Sequence, residues 1–484
     1  MITESELLSG FPAENAVDPR TVAASVAASR RVLVVLDDDP TGTQSVADLP
    51  VLTSWEAADF AWAFTFRIAG AAAPAVYVLT NTRSLGPDEA AARNREAVTN
   101  ALAAAEDSGI ALGFVSRSDS TLRGHYPLEP DVIAATLSEV TGQSTDGVVI
   151  VPAFPDAGRI TIGGIHYMRD GAGGLIPVAA TEFASDATFG YSWSELARYV
   201  EEKSAGRFPA ADVIVLDLAV VRGGTEGIAE AIAPAADSAP IVADIVTEND
   251  LRALALGLAE AESRGKKLLY RVGPPFVRAR IGQREREALT AEEVFPAGSP
   301  ASRTGGLVVV GSHVGVTTRQ LAALTTRHPN ATTVELAVED LLDEARAGDQ
   351  LERTVAAVVA ALGTGDVILS TSRLLVKSED PAESLRIARV VSAGVVAVVR
   401  RTLAAAPPRF VVAKGGITSS DVAAHGLAIR HAVVRGPMLP GIVSLWEPVD
   451  GPARGIPFVV FAGNVGDDDS LLDVVRKLST TFQR

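Results

Sequence analysis

Three consecutive carboxylates, Asp37, Asp38 and Asp39, are the residues of this chain best placed to do chemistry. They follow the run Val32–Leu36, whose β-branched and aliphatic residues predict a buried strand, and a Thr-Gly turn comes after them. Ligands of open α/β sheets bind beyond the carboxyl ends of the strands. Adjacent carboxylates repel one another unless a cation, a hydroxyl donor or water compensates their charge. The cluster predicts a site for a metal, a metal–phosphate complex or a polyhydroxy substrate; the alternative is an acidic surface loop that starts a helix.

Polar side chains also follow three further predicted strands in the first half of the chain. They lie in the segments Thr80–Ser84, Ser116–His125 and Pro152–Arg159, which supply hydroxyl, carboxylate and guanidinium groups. Arginine suits bidentate recognition of a carboxylate, and Asp, Asn and Ser suit vicinal hydroxyl groups. A small hydroxy acid would match this set of side chains.

Several of these residues also have a purely structural interpretation. Arg123 could pair with Asp119 across a turn, a run beginning at Asp119 could cap a helix, and Arg83 could lie on the surface. His125 and His166 are typical of histidines that form structural hydrogen bonds. The recurrence of polar residues at successive strand ends favours the functional interpretation, because surface loops do not require it.

Three predicted strands of the second half end in glycine-rich loops. The loops are Gly311–His313, Lys414–Asp421 and Ala462–Asp467. A strand followed by glycines and a Ser or Thr at a helix start exposes backbone N–H groups that bind phosphate oxygens. The alternative is ordinary strand–helix turns, in which Gly and Ser are common. Neither the Walker A pattern nor the G-x-G-x-x-G fingerprint occurs, so the familiar nucleotide-binding motifs do not apply.

Strand-like runs alternate with alanine-rich helical stretches along the chain. This alternation predicts an α/β fold with two domains, each a largely parallel sheet flanked by helices. The clearest predicted strands are 75–79, 113–116, 147–151, 213–216, 241–243, 267–272, 307–310, 332–336, 367–370, 410–413, 431–434 and 458–461, and the clearest predicted helices are 88–105, 194–202, 251–264 and 382–402. A charged, then Pro/Gly/Ser-rich stretch predicts a linker at 286–305, between domains at 1–285 and 306–484.

Composition limits the classes of partner. The 484 residues include 59 acidic and 43 basic side chains, so the formal net charge is -16, which disfavours nucleic acid and anionic membranes. A small anionic substrate needs only a local basic pocket. The absence of cysteine excludes disulfides, thiolate catalysis and zinc–thiolate sites. No signal-peptide pattern and no apolar run of about 20 residues occur, so a cytoplasmic location is expected.

The ordered set of motifs resembles that of the four-carbon acid sugar kinases over nearly the whole chain. The motifs are Asp38-Asp39-Pro40-Thr41-Gly42, Asp119-Ser120-Thr121-Leu122-Arg123-Gly124, Gly158-Arg159 with Gly164-Ile165-His166-Tyr167, Gly311-Ser312, Lys414-Gly415-Gly416-Ile417-Thr418 and Gly463-Asn464-Val465-Gly466. The string from Asp119 to Gly124 and the order of the set are specific, whereas any one glycine pair is not.

The resemblance implies an N-terminal acid-sugar-binding domain and a C-terminal nucleotide-binding domain. It implies ATP-dependent phosphorylation of a hydroxyl of a four-carbon sugar acid such as erythronate, threonate or a 2-oxo-tetronate, with ATP and Mg²⁺ as cofactors. The substrate-binding residues that it implies lie in the Asp38-Asp39 loop, at Arg83 and at Arg117, Ser118, Asp119 and Ser120. We add Arg123 to the predicted substrate-binding residues on chemical grounds. The ATP-binding residues that it implies are Ser312, Gly415, Gly416, Ile417, Thr418 and Gly463.

Phosphorylation of a hydroxyl needs in-line positioning, charge neutralisation and a proton acceptor. Asp38 and Asp39 are candidates for the base or for partners of Mg²⁺, and Asp119 is the rival base. Arg83, Arg117 and Arg123 would hold the substrate carboxylate or stabilise the transferring phosphoryl group.

Two other function classes stay open from the sequence. One is an NAD(P)-dependent hydroxy-acid dehydrogenase, against which the missing dinucleotide fingerprint counts. The other is a non-catalytic sugar-acid sensor, against which the glycine-rich loops count. A homodimer is common among α/β enzymes of this size.

Overall fold

A computed structural model describes residues 2–171, 173–297, 303–372 and 381–479. Contacts within the chain divide it into two compact units, residues 1–285 and 286–484. In the described part of the chain, no helix combines the length and the apolar composition needed to cross a bilayer.

The first unit is built from parallel strands joined by helices. Its strands are β1 (Ile2–Thr3), β2 (Arg31–Asp37), β3 (Leu49–Leu52), β4 (Arg67–Ile68), β5 (Ala71–Ala72), β6 (Ala75–Leu79), β7 (Ala111–Arg117), β8 (Gly147–Val151), β9 (Arg159–Ile162), β10 (Ile165–Arg169), β11 (Gly174–Pro177), β12 (Ile214–Leu216), β13 (Ala239–Ala243) and β14 (Leu268–Val272). Its helices are α1 (Glu4–Leu8), α2 (Pro19–Ser29), α3 (Ala57–Thr65), α4 (Pro87–Ser108), α5 (Leu128–Thr141), α6 (Leu196–Lys203), α7 (Leu218–Arg222), α8 (Thr225–Ile232), α9 (Glu248–Ser263) and α10 (Pro275–Arg280).

The main sheet of the first unit has the order β12-β13-β8-β14-β7-β2-β6-β3, and every described pairing in it is parallel. After β2 the chain adds β3 and β6 on one side and then crosses to place β7 on the other. The strand order therefore reverses between β2 and β7, where ligands of such sheets bind. Four other strands of the first unit form a smaller antiparallel sheet in the order β1-β11-β10-β9.

The second unit is also built from parallel strands joined by helices, and it contains two antiparallel strands as well. Its strands are β15 (Leu307–Val310), β16 (Ala331–Leu336), β17 (Asp366–Thr371), β18 (Val411–Lys414), β19 (His431–Leu439), β20 (Val443–Pro448) and β21 (Phe458–Phe461). Its helices are α11 (Ala291–Val294), α12 (Gly315–Arg327), α13 (Val338–Leu342), α14 (Glu344–Leu362), α15 (Pro381–Ala405), α16 (Gly416–Asp421) and α17 (Ser470–Leu478).

Five strands of the second unit, in the order β16-β17-β15-β18-β21, pair in parallel, and β20 and β19 continue from β21 as antiparallel strands. The chain adds β16 and β17 on one side of β15 and then places β18 on the other. The strand order therefore reverses between β15 and β18, so this unit has its own ligand-binding edge.

The structure confirms the α/β class and the two largely parallel sheets. Every strand and helix predicted from the sequence has a counterpart in the same region. In the two main sheets, two strands were missed, because Pro50 weakens the strand signal of β3 and polar residues interrupt β20. The pair β4–β5 and the antiparallel sheet of β1, β9, β10 and β11 were missed too; β1, β4 and β5 have only two residues each, and polar residues interrupt β9 and β10.

Part of the stretch predicted as a linker packs against the second unit. Leu289 is only 2% exposed and belongs to that unit's apolar core. Its backbone N–H donates to the carbonyl of Pro437 at 2.8 Å. Residues 298–302 of the predicted linker lie outside the described residues.

Candidate active site

Asp37, the last residue of β2, forms a buried ion pair with Arg117, the last residue of β7. Both side chains are 2% exposed, and two guanidinium nitrogens of Arg117 contact Oδ1 of Asp37. A Cβ at Gly42 would overlap both groups, so only glycine fits there. Burial raises the pKa of Asp37 to about 7, although Arg117 opposes this shift. The pair locks the ends of the two central strands together and leaves Arg117 little access to a ligand.

Asp38 is bound by Arg83, which follows β6. The guanidinium donates to both carboxylate oxygens, at 2.6 and 3.2 Å. Burial raises the pKa of Asp38, and Arg83 and Arg117 oppose the rise. The Arg83 side chain is 18% exposed and fixed in this bidentate pair, so it does not project from the surface as the structural interpretation had it.

Asp39 is the most accessible carboxylate of the triplet, with a side chain that is 20% exposed. Its Oδ1 accepts from the backbone N–H of Thr41 at 2.9 Å and also from the Thr41 hydroxyl. Among the described residues, the one hydrogen-bond contact of its Oδ2 is with Arg83, at 3.5 Å. Burial alone would raise the pKa of Asp39, but Arg83, Arg117 and the Thr41 hydrogen bonds outweigh it, so the pKa is lowered. Asp39 caps the 3-10 turn Pro40–Ser45, so the capping interpretation holds for Asp39 alone.

Asp119 lies near the start of the loop that follows β7. It accepts from the backbone N–H and the hydroxyl of Thr121, and from Nε of Arg123 at 2.6 Å. Burial opposes ionisation, but Arg83, Arg123 and these hydrogen bonds hold the pKa of Asp119 well below its usual range. The pair with Arg123 is the one that the structural interpretation expected. The helix-capping alternative is wrong, because the next helix begins only at Leu128.

The Asp119 loop is held from behind by two buried tyrosines. Leu122 has φ +68°, a left-handed conformation that costs a branched residue energy. The Tyr191 hydroxyl donates to the carbonyl of Thr121 at 2.8 Å, and the Tyr199 hydroxyl donates to the carbonyl of Leu122 at 3.0 Å. These bonds stabilise the turn that presents Asp119.

His166 and His125 hold loops of the site and are both buried, as the structural interpretation expected. His166 Nε2 lies 2.8 Å from the carbonyl of Ser120, so Nε2 donates; Nδ1 then accepts from the Thr161 hydroxyl at 3.0 Å. Burial lowers the pKa of His166 to about 4, which keeps it neutral near pH 7. His125 Nε2 lies 3.0–3.1 Å from two carbonyls of the turn after β6.

A buried network beneath the carboxylates was not predicted. Arg271 on β14 pairs with Glu129 and donates to the Ser116 hydroxyl at 2.7 Å. A Cβ at Gly124, which has φ +119°, would lie 2.7 Å from Arg271 and 3.0 Å from Asp38. The glycine that ends the D-S-T-L-R-G string thus lets the loop pass close to both groups. The sequence did not mark Arg271 as a site residue, because it lies within an ordinary apolar strand pattern.

Ser118 and Ser120 lie in the same loop and are 6% and 5% exposed. The backbone N–H of Ser118 donates to the carbonyl of Val272 at 2.8 Å. The structure therefore brings all of the predicted substrate residues to the β2/β7 edge of the first unit, with Asp39 and Asp119 more exposed than Asp38 or Arg117.

In the second unit, the predicted ATP-binding loops meet around Ser312. A Cβ at Gly463 would lie 2.7 Å from the Ser312 hydroxyl, and one at Gly415 would lie 3.2 Å from Ser312 Cβ. A Cβ at Gly311 would overlap the hydroxyl of Thr418. Gly415 also has φ +126°, which favours glycine. Three strand ends therefore approach one another only because glycines stand at the contacts.

The other two predicted residues begin helix α16. Gly416 is its first residue, and Ile417 follows with 60% of its surface exposed. The side chain of Val314, at the start of α12, is also 46% exposed and would lie 3.6 Å from a Cβ at Gly463. Exposed apolar side chains beside glycine loops suit contact with a flat ring such as a nucleotide base.

Three residues that support these loops were not predicted as site residues. The Thr317 hydroxyl donates to the carbonyl of Gly463 at 2.8 Å, and Gln320 donates to two carbonyls further along the same loop. The buried amine of Lys414 donates to the carbonyl of Ala462 at 2.6 Å, and burial lowers its pKa to about 7. Lys414 stands beside the glycine pair, so its position was a usable signal, whereas α12 gave none.

Over the described residues, no group of three or more His, Cys, Asp or Glu side chains is arranged to hold a metal ion. Mg²⁺ that is bound with nucleotide phosphates needs only one or two protein carboxylates. Oδ2 of Asp39, which lies 3.5 Å from Arg83, has the chemistry for such a role or for accepting from a hydroxyl group.

Two family models match the chain, one for each unit. Residues 33–280 match a sugar-binding N-terminal domain. Residues 307–471 match a nucleotide-binding C-terminal domain. The first match contains the β2/β7 edge and the second contains the β15/β18 edge.

Characterised relatives with similar sequences are kinases. The chain is 26% identical over 471 residues to a D-erythronate kinase of Heliobacterium modesticaldum, covering 93% of this chain and 97% of that protein. It is 30% identical over 255 residues to a D-threonate kinase of Cupriavidus necator, covering 51% and 52%. It is 25% identical over 412 residues to a 3-oxo-tetronate kinase of Methylobacterium radiotolerans, covering 82% and 87%.

The fold also matches a solved structure. A Salmonella typhimurium LT2 protein, named as a proposed tRNA synthase, aligns with a TM-score of 0.66 and 19% identity. The alignment covers 93% of this chain and 100% of that one. At this identity the likeness concerns the fold alone.

Proposed function

Because this chain belongs to the four-carbon acid sugar kinase family, we propose that it transfers the terminal phosphate of ATP to a hydroxyl of a four-carbon sugar acid of the erythronate, threonate or 2-oxo-tetronate type. Its enzyme class is a phosphotransferase with an alcohol group as acceptor. The observation that carries the proposal is the meeting of Asp38, Asp39 and Asp119 with their arginines at the β2/β7 edge. A reaction that consumes ATP fits the cytoplasmic location expected from the sequence.

We assign the acid to the unit 1–285 and the nucleotide to residues 306–484. In the first unit, carboxylates accept hydrogen bonds from substrate hydroxyls, which match their geometry and charge. In the second unit, the Gly415-Gly416 loop holds the ADP phosphates through the backbone N–H groups at the start of α16, since the Gly415 N–H already donates to the carbonyl of Phe461. Ser312 and Thr418 are hydroxyl donors, and Ile417 lies against the base. Gly463 lets its loop approach closely enough to complete this surface.

Asp39 is the candidate base that the geometry favours. Both carboxylate oxygens of Asp38 are held by Arg83, and Asp119 is held by Thr121 and Arg123. Oδ2 of Asp39 has only the 3.5 Å contact with Arg83 and is the oxygen best able to receive a hydroxyl proton. Its lowered pKa keeps it ionised, so it orients the hydroxyl first and accepts the proton late, as the new bond forms.

The chemical step is an in-line displacement. A bond forms between the substrate oxygen and the γ-phosphorus while the bond from that phosphorus to the β–γ bridging oxygen breaks. ADP leaves, and the hydroxyl proton passes to Asp39 and then to solvent. Mg²⁺ enters with ATP as part of the substrate complex and neutralises phosphate charge.

Coupled ADP release tests the proposal. MgATP is supplied with a panel of D- and L-erythronate, D- and L-threonate and their 2-oxo forms. We expect turnover with at least one acid and background ADP release without an acid. A protein that binds MgATP in calorimetry but turns over none of these acids would contradict the proposed substrate class.

The two alternative functions can be tested with the same purified protein. A hydroxy-acid dehydrogenase would bind NADH, which fluorescence titration detects. A non-catalytic sensor would bind an acid without any ADP release. We expect neither result.

A further inference from the structure

The arginines predicted to hold the substrate carboxylate are already engaged. Arg83 is paired with Asp38, and Arg123 with Asp119. Arg117 is buried against Asp37 at 2% exposure. A negatively charged substrate that entered this cluster would meet guanidinium groups whose charge protein carboxylates have largely neutralised. Recognition of an acid therefore calls for a further cation.

Arg159, the first residue of β9, is placed to supply that cation. In the hairpin β9–β10, Arg159 is opposite Met168 and Thr161 is opposite His166. Arg159 and Thr161 point to the same face, because side chains two residues apart in a strand do so. Thr161 on that face bonds His166, which in turn bonds the carbonyl of Ser120. The face that carries Arg159 is therefore the one turned toward the Asp119 loop.

The opposite face of the hairpin is apolar and packs into the protein. Ile160, Ile162 and Tyr167 are each at most 4% exposed and form one apolar cluster. Packing of this face fixes the hairpin, and the bond between His166 and Ser120 fixes its distance from the loop. Arg159 therefore stands on a rigid support.

Within the described part of the chain, the guanidinium of Arg159 has no carboxylate partner of the kind that Arg83, Arg117 and Arg123 have. Its Nε is buried without a hydrogen-bond partner, and within the described residues Arg159 forms no ion pair. A buried guanidinium nitrogen without an acceptor is costly, which an incoming oxygen would relieve. Burial lowers the pKa of Arg159, Asp119 raises it and Arg123 lowers it, which agrees with the orientation of this face of the hairpin toward the Asp119 loop.

We propose that Arg159 binds the carboxylate of the sugar acid, beside the loop that carries Asp119. This assignment rests on the proposed function and deepens it by naming the residue that distinguishes an acid from a neutral polyol. A guanidinium recognises a carboxylate through two parallel hydrogen bonds, which an ammonium group does not reproduce.

The test compares Arg159→Gln and Arg159→Lys with the wild type. Substrates are the tetronate that the wild type phosphorylates best and the tetritol of the same configuration, which carries a CH₂OH group instead of the carboxylate. We expect Arg159→Gln to raise KM for the acid about ten- to a hundredfold, with KM for ATP unchanged. The preference for acid over tetritol should fall by a similar factor, and Arg159→Lys should lie between. Unchanged KM and preference in Arg159→Gln would overturn the proposal.

Arg169→Gln is the matched control. Arg169 lies on β10 of the same hairpin but pairs with Glu4, so its loss should leave the acid preference unchanged. Binding of D-erythronate and D-threonate to nucleotide-free protein is also measured by calorimetry. If no acid supports ADP release but the wild type binds an acid and Arg159→Gln does not, the proposed reaction fails and the role of Arg159 stands. If the wild type and Arg159→Gln bind the acids equally, or neither binds them, Arg159 has no such role.

Discussion

At the scale of single residues, the three consecutive carboxylates have different environments. Asp37 is locked to Arg117, Asp38 is held on both oxygens by Arg83, and Asp39 keeps one oxygen accessible. The sequence predicted the cluster and assigned Arg83, Arg117 and Arg123 to the substrate or the phosphoryl group, but it left the base open. The ion pairs that distinguish the three carboxylates depend on which strand ends become neighbours.

Asp39→Asn should lower kcat by about 10²- to 10⁴-fold, because an amide keeps the size of the side chain but cannot accept the hydroxyl proton. ATP binding, measured by calorimetry, should stay within about twofold, since Asp39 lies in the acid-binding unit. Asp107→Asn, an exposed position near the end of α4, is the control. A kcat close to that of the wild type would remove Asp39 from the mechanism.

His166 should make the protein less stable in acid. The unfolded histidine takes up a proton near pH 6.5, whereas the folded one stays neutral down to about pH 4. Between these values the unfolded state binds more protons, so the free energy of unfolding falls as the pH falls, by at most about 1.4 kcal/mol per pH unit.

Denaturant unfolding of the wild type and of His166→Gln over this pH range tests the prediction. Glutamine does not titrate and can still donate to the carbonyl of Ser120. The stability advantage of the wild type should shrink as the pH falls from 6.5 to 4. An advantage that does not depend on pH would show that His166 has the same pKa in the folded and the unfolded protein.

At the scale of elements, both candidate sites lie where the strand order of a parallel sheet reverses. Polar or glycine-rich segments after β2, β7, β15 and β18 were visible in the sequence, since strand ends can be found from apolar runs. Which strands are neighbours was not visible, because nothing local in β2 specifies that β7 pairs with it. The hairpin β9–β10 was not predicted, because polar residues interrupt both of its strands, although Arg159 itself lay in a segment predicted to be polar.

Gly311→Ala should weaken nucleotide binding. The added Cβ would overlap the hydroxyl of Thr418 and push apart two loops that are proposed to hold the ATP phosphates. We expect KM for ATP to rise about tenfold or more, with KM for the acid little changed. Gly348→Ala on α14 is the control, because no atom lies within 4 Å of its Cβ and alanine favours a helix. Equal effects of the two variants on KM for ATP would contradict the assignment of this loop.

At the scale of the whole molecule, the chain consists of two units of the same class, each with a sheet whose strand order reverses at the candidate site. The fold class followed from the alternation of apolar runs, and the family from motifs at the strand ends. The identity of the proposed four-carbon acid did not follow, because it depends on the stereochemistry of the pocket that binds the acid, which no sequence motif specifies. The pairing of Arg117 with Asp37 shows how one contact changes the role expected of a residue.

The product of the reaction tests the central claim most directly. The acid that gives the fastest ADP release is incubated with MgATP, and the products are examined by ³¹P nuclear magnetic resonance with proton coupling. The account predicts a phosphate monoester on a hydroxyl carbon of the acid, formed in equal amount to ADP. Inorganic phosphate as the only new product, or an acyl phosphate on the carboxylate, would contradict it.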